Sequence, residues 1–99
     1  MSASPGSITG MFALSYLVIY CSDVDASRRF YAALGLTLVR EQHNGGPVHY
    51  SATLAGDTVL ELYPAQGRPP TRTRLGLRIP GAAAGTFRDP DSNVVELLA

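Results

Sequence analysis

The sequence predicts an α+β domain in the order β-α-β-β-β, a linker, then three further strands with no helix between them. Three observations carry this prediction. Short apolar runs rich in Val, Ile, Leu and Tyr recur between turn residues. Only residues 24–34 show a helical repeat of apolar positions. A proline-rich stretch at 64–73 then splits the chain into a long first part and a short second part. With 99 residues the chain is the size of one domain, and 45% hydrophobic residues can build a core with little margin.

Residues 1–10 (MSASPGSITG) lack the basic start and apolar stretch of a signal peptide. They read as a flexible leader to a single domain at 11–99, with the first module at 11–64 and the shortened second at 74–99. Residues 12–21 form strand one. Alternation places Tyr16, Val18 and Tyr20 on one face and Leu17, Ile19 and Cys21 on the other. Asp23 is a suitable N-cap for a helix over 24–34, with Ala26, Phe30 and Leu34 on one side and Gly35 as the stop. Strands follow at 36–42, 48–55 and 58–63, separated by the turns Asn44-Gly45-Gly46-Pro47 and Gly56-Asp57. After the linker come strands at 74–79, from 86, and at 94–98. Residues 80–85 are too few for a useful helix, and residues 89–93 make a turn. Residues 58–62 (TVLEL) resemble 93–97 (NVVEL), a weak internal repeat consistent with two related halves.

Eight basic and eight acidic residues leave a formal net charge of zero, which favours neither nucleic acid nor an anionic membrane as partner. One cysteine, Cys21, excludes an internal disulfide framework and a cysteine-based zinc site, and fits a reduced, cytoplasmic setting. No apolar run approaches the roughly 20 residues of a membrane span.

Two segments resemble a known superfamily. SDVDASRRFYAALGL (22–36) is similar to the first strand-to-helix junction of the glyoxalase/bleomycin-resistance/dioxygenase (vicinal oxygen chelate) superfamily. FRDPDSNVVELL (87–98) is similar to its closing hairpin, with Ser92 where Gly is usual. The resemblance implies a βαβββ module followed by a second module, truncated here to βββ without its helix, whose mixed, curved sheet forms a concave cleft for a small ligand, commonly in dimers that can exchange modules. It also implies metal-ligand positions on four strands, falling here on Tyr16, Glu61, Arg74 and Glu96. Divalent metals of this kind favour imidazole nitrogen and carboxylate oxygen. Tyr16 is a poor ligand, and the guanidinium of Arg74 has no lone pair to give. No metal and no cofactor are therefore expected at this place, with Arg74 supplying positive charge against Glu61, Glu96 or both. His49 on strand three is a further cleft candidate, while His43 sits beside a turn and is expected to be solvated. Tyr16, Val18, Tyr20, His49, Glu61, Tyr63, Arg74, Arg78 and Glu96 make up the expected ligand-binding set, with Val59 beside them. Cys21 is expected to act as a small buried hydrophobe.

The second module is short: 45 residues separate Tyr16 from Glu61, but only 22 separate Arg74 from Glu96. The missing helix would have covered Leu75, Leu77, Ile79, Val95 and Leu97. Left in water, these forgo roughly 1.5–3 kcal/mol each, a sum that rivals a small domain's whole stability. Either a second copy of the chain or the chain's own first helix must cover them, and a homodimer is expected. The leading expectation for function is a protein that binds a small molecule in a metal-free cleft. The alternatives are a lyase, isomerase or dioxygenase-like enzyme using Glu61 or Glu96 as base, and a non-catalytic interaction module.

Overall fold

The computed structural model describes residues 12–99, so the leader expected at 1–10 lies outside the described residues. The order is β1 (Tyr16–Cys21), α1 (Val24–Leu34), β2 (Val39–Glu41), β3 (His49–Thr53), β4 (Val59–Pro64), β5 (Arg74–Leu77), β6 (Gly85–Arg88) and β7 (Val94–Leu97), with a 3₁₀ turn at Ala55–Asp57. No helix among the described residues is long and apolar enough to cross a membrane.

The first sheet has strand order β1-β4-β3-β2, with β1 parallel to β4 and the other pairs antiparallel. The second has order β5-β7-β6, with β5 parallel to β7 and β6 antiparallel. The second sheet thus repeats the first without its helix and outer strand. β4 and β7, the strands carrying the two similar pentapeptides, occupy equivalent places, each parallel to the first strand of its module.

Strand lengths are set by partners. β1 begins at Tyr16 rather than residue 12 because β4, its neighbour, supplies partners only from Val59 onward. β2 shrinks to three residues opposite Ser51, Tyr50 and His49, and Leu36 and Leu38 turn their side chains to the core instead.

α1 forms where the sequence places it. Asp23 accepts bonds from the backbone N–H of Asp25 and Ala26, both at 3.1 Å, satisfying donors that a helix start leaves unpaired. Gly35 closes the helix with φ 118°, and a Cβ there would lie 2.9 Å from Ile79 Cγ2. Only glycine meets both demands. The buried stripe differs from the expected one: Ser27 and Tyr31 are fully buried, whereas Ala26 and Phe30 are only partly so. The rotation follows from a second packing surface. The helix is held against the first sheet and also reaches the second module.

That arrangement answers the question of cover. Leu77, Val95 and Leu97 join Ile19, Cys21, Tyr31, Tyr50, Leu60 and Leu62 in one core, with Leu75 and Ile79 packed against it. The chain's own first module covers this face, so its apolar area no longer demands a second copy. The linker fastens the two edges. Thr71 donates its N–H to Tyr20 O at 2.9 Å and accepts the Tyr20 N–H on Oγ1 at 2.9 Å. Two residues on, Thr73 O accepts from Val94 N at 3.1 Å.

The closing turn is tied to the helix through Asp89, which is 4% exposed. Its Oδ1 accepts the N–H groups of Asp91 (2.9 Å) and Asn93 (2.8 Å). Its Oδ2 accepts Asn93 Nδ2 and the Tyr31 hydroxyl, both at 2.8 Å. Asp91 Oδ2 in turn accepts the Ser22 N–H at 3.0 Å. Ser92, where glycine is usual, sits at φ 69°, a conformation costly for a residue with a Cβ.

Burial pushes the Cys21 thiol from 9.0 up to about 11, against a smaller opposing effect of the Ser27 hydroxyl. Burial first, and then the Asp89 carboxylate, push the Tyr31 phenol well above its usual 10.0.

Four outcomes are expected. Tyr31→Phe removes a hydrogen bond to a buried carboxylate and costs about 1.5–3 kcal/mol in urea unfolding. Ser92→Gly relieves the left-handed strain but adds freedom to the unfolded chain, for a net gain of about 0.5 kcal/mol. Both raised groups favour the protonated form in the folded state. Their contribution is therefore complete below about pH 9 and declines above it, from about pH 9 to 11 for Cys21. Melting temperatures measured across that range should fall as the pH rises, and native Cys21 should resist a thiol reagent at pH 8.

Candidate functional site

The face of the first sheet turned away from α1 carries the polar and aromatic residues of its strands. Register places Val18 and Ser51 on either side of Glu61, and Tyr20 beside Tyr63. Tyr20 and Tyr63 lie with ring centroids 6.3 Å apart. Tyr63 stacks on His49 at 4.1 Å and 9° between planes, and His49 meets the His43 ring at 5.0 Å. A row of four rings therefore crosses β1, β4, β3 and the turn after β2. The Arg68 guanidinium sits 5.9 Å over the Tyr20 ring at one end, a cation–π geometry. Partial burial, then Glu61 and Glu41, raise the Tyr63 phenol above its usual value.

Within the row, His49 is 2% exposed. Its Nδ1 lies 3.1 Å from Pro47 O. Its Nε2 lies 3.2 Å from the Tyr63 hydroxyl and 3.3 Å from Glu41 Oε1. His43 Nε2 is 3.8 Å from the same carboxylate oxygen. Glu41 and His49 are direct cross-strand partners.

Of the expected ligand-binding residues, Val18, Tyr20, His49, Glu61 and Tyr63 share this face, with Tyr16 exposed at its edge. Arg74 and Glu96 lie on the second sheet, joined at 3.0 Å, and no contact among the described residues links either to Glu61. Arg78 follows β5, donates from Nε to Ala99 O at 3.3 Å, and borders a different feature. That feature is an apolar groove of about 860 Å³ beside the end of α1, lined by Leu36, Leu54, Leu77, Ile79 and Ala82 among others. Its lining also includes Thr37, Thr53 and Ala99, and none of the four rings of the aromatic row.

The ligand positions implied by the superfamily do not suit a metal. Arg74 offers no lone pair, and its guanidinium already occupies Glu96. Glu41 and His43 did not figure among the expected site residues. Their signal is the spacing in Glu41-Gln42-His43 and, past the turn, His49. Two residues apart on one side of a hairpin share a face, but His49 joins them only once the hairpin register is known.

Two mixed sheets with parallel first-to-last strand pairing, one face buried and the other ringed with aromatics, define a protein of the two-module cleft class. A family model, Glyoxalase/Bleomycin resistance protein/Dioxygenase superfamily, matches residues 13–81, and the chain belongs to that superfamily. Among solved structures the chain is similar to one named "Oxidase ChaP-H2", with a TM-score of 0.67 and 17% identity. The match covers 89% of this chain and 93% of that one, a likeness of fold. Comparison with curated proteins gives no match.

Arg74 and Glu96 are well exposed, with 68% and 38% of their side chains accessible. Arg74→Ala should therefore change unfolding free energy by no more than about 1 kcal/mol, measured by chemical denaturation.

Proposed function

We propose that the protein binds a small planar or amphipathic molecule on the outer face of its first sheet, as a homodimer in the cytoplasm, without a metal at the superfamily's usual position. The observation that carries this reading is the row Tyr20, Tyr63 and His49, flanked by Val18 and Glu61. Flat rings with a few fixed polar groups suit a ligand that stacks and makes one or two oriented hydrogen bonds. Dimerisation has a physical reason on this face. Small-molecule sites bury most of their ligand, and one open sheet does not enclose it. Tyr16, Tyr20 and Val39 stay exposed at 64%, 41% and 55%, and a second copy would both shield them and wall the site.

A catalytic reading rests on Glu61. It faces the same side and has no hydrogen-bond or ion-pair partner among the described residues, leaving its carboxylate available as a base. Glu96 is less suited, being held by Arg74.

A panel of planar aromatic and glycopeptide ligands, screened by thermal shift in the presence of a chelator, tests binding. Saturable stabilisation should weaken about two- to twelvefold on Tyr20→Ala, the worth of one aromatic contact. Binding indifferent to Tyr20 and Tyr63 would refute the site, and a monomeric mass with ligand bound would refute the dimer.

A further inference from the structure

The Glu41–His43–His49 cluster lies on β2, β3 and the turn between them, away from the four strand positions the superfamily uses for metal. Among the described residues, its three ligand atoms all lie within 4.8 Å of one another. From this geometry we infer a second kind of site: a divalent transition-metal centre held by Glu41 Oε1, His43 Nε2 and His49 Nε2.

Three features point to it. The first is the donor set, two imidazoles and one carboxylate. Zinc, iron(II), cobalt(II) and nickel(II) accept this combination, and hard oxygen-seeking cations do not select it.

The second is spacing. Donors about 2.0–2.1 Å from a tetrahedral ion lie about 3.3–3.4 Å apart. Glu41 Oε1 is 3.3 Å from His49 Nε2 and 3.8 Å from His43 Nε2. The remaining adjustment falls on His43, whose side chain is 66% exposed and free to rotate, rather than on the buried histidine.

The third is the orientation of His49. Its Nδ1 faces the carbonyl oxygen of Pro47 at 3.1 Å. A carbonyl only accepts, so Nδ1 carries the proton, and in the neutral ring the Nε2 lone pair points at Glu41. Metal-binding histidines are commonly oriented by such a backbone bond. With Nδ1 held on the Pro47 carbonyl, Nε2 is the ring nitrogen aimed at Glu41 Oε1, 3.3 Å away, the separation of two donors on one ion. The Tyr63 hydroxyl meets the same nitrogen at 3.2 Å, a contact that an ion bound there would replace. The turn fixes the backbone that carries the mobile His43 ring: Gly46 donates its N–H to His43 O at 2.8 Å, and Gln42 Nε2 donates to Gly46 O at 3.0 Å.

The test is titration of the purified full chain with zinc(II) by calorimetry and with cobalt(II) by visible spectroscopy. The expected result is one ion per chain, micromolar or tighter, with the absorption of tetrahedral cobalt. Glu41→Gln and His43→Ala, both on partly or fully exposed side chains, should each weaken binding about tenfold or more. His49→Ala should abolish it. If that variant does not fold, the first two decide the matter. Glu61→Gln and Glu96→Gln should leave affinity unchanged. Absence of saturable binding would overturn the inference and leave Glu41–His49 as a plain cross-strand polar contact. So would binding lost with Glu61 or Glu96 but kept in Glu41→Gln. Because the ligand screen runs with chelator, its outcome is independent of this one.

Discussion

The carboxylate of Asp89 is the contact on which the joining of the two modules depends. It is buried, it has no ion-pair partner among the described residues, and it accepts four hydrogen bonds, three from its own turn and one from Tyr31 of the helix. A buried charge is tolerated only when its oxygens are satisfied, so turn and helix fix each other. Replacing either partner strands the other in an apolar setting. Through Asp91 and Ser22 the same turn also grips the end of β1.

This clasp makes a short second module possible. A three-stranded sheet cannot cover its own apolar face. Here the face carrying Leu77, Val95 and Leu97 turns inward onto Tyr31 and the first sheet, so one helix supports both sheets. The helix rotates to do so, which is why Ser27 and Tyr31 take the centre of its buried stripe. Close approach at Gly35 and Ile79 is part of the same fit. The outer face of the first sheet is then left free of packing duty, and the aromatic row stands on it.

Much of the fold was legible in the sequence. The helix bounds, its Asp23 cap, its Gly35 stop and the order of strands all follow from local chemistry: capping oxygen, left-handed glycine, alternating apolar residues. Strand ends were less legible because pairing, and not propensity, sets them. The site was legible in part. Alternation put Val18 and Tyr20 on one face. The partners of Arg74 and Glu96 are set by pairing within the second sheet, where the two side chains join each other and not Glu61.

The sequence by itself determined where the chain is helical, where it turns, and that a guanidinium stands where a metal ligand is expected, since each depends on one residue and its near neighbours. The tertiary structure decided what covers the second sheet, which face of the helix is buried, and that Glu41, His43 and His49 converge. Those outcomes depend on register and on the meeting of residues such as Tyr31 and Asp89, 58 positions apart. No local pattern encodes contacts at that distance.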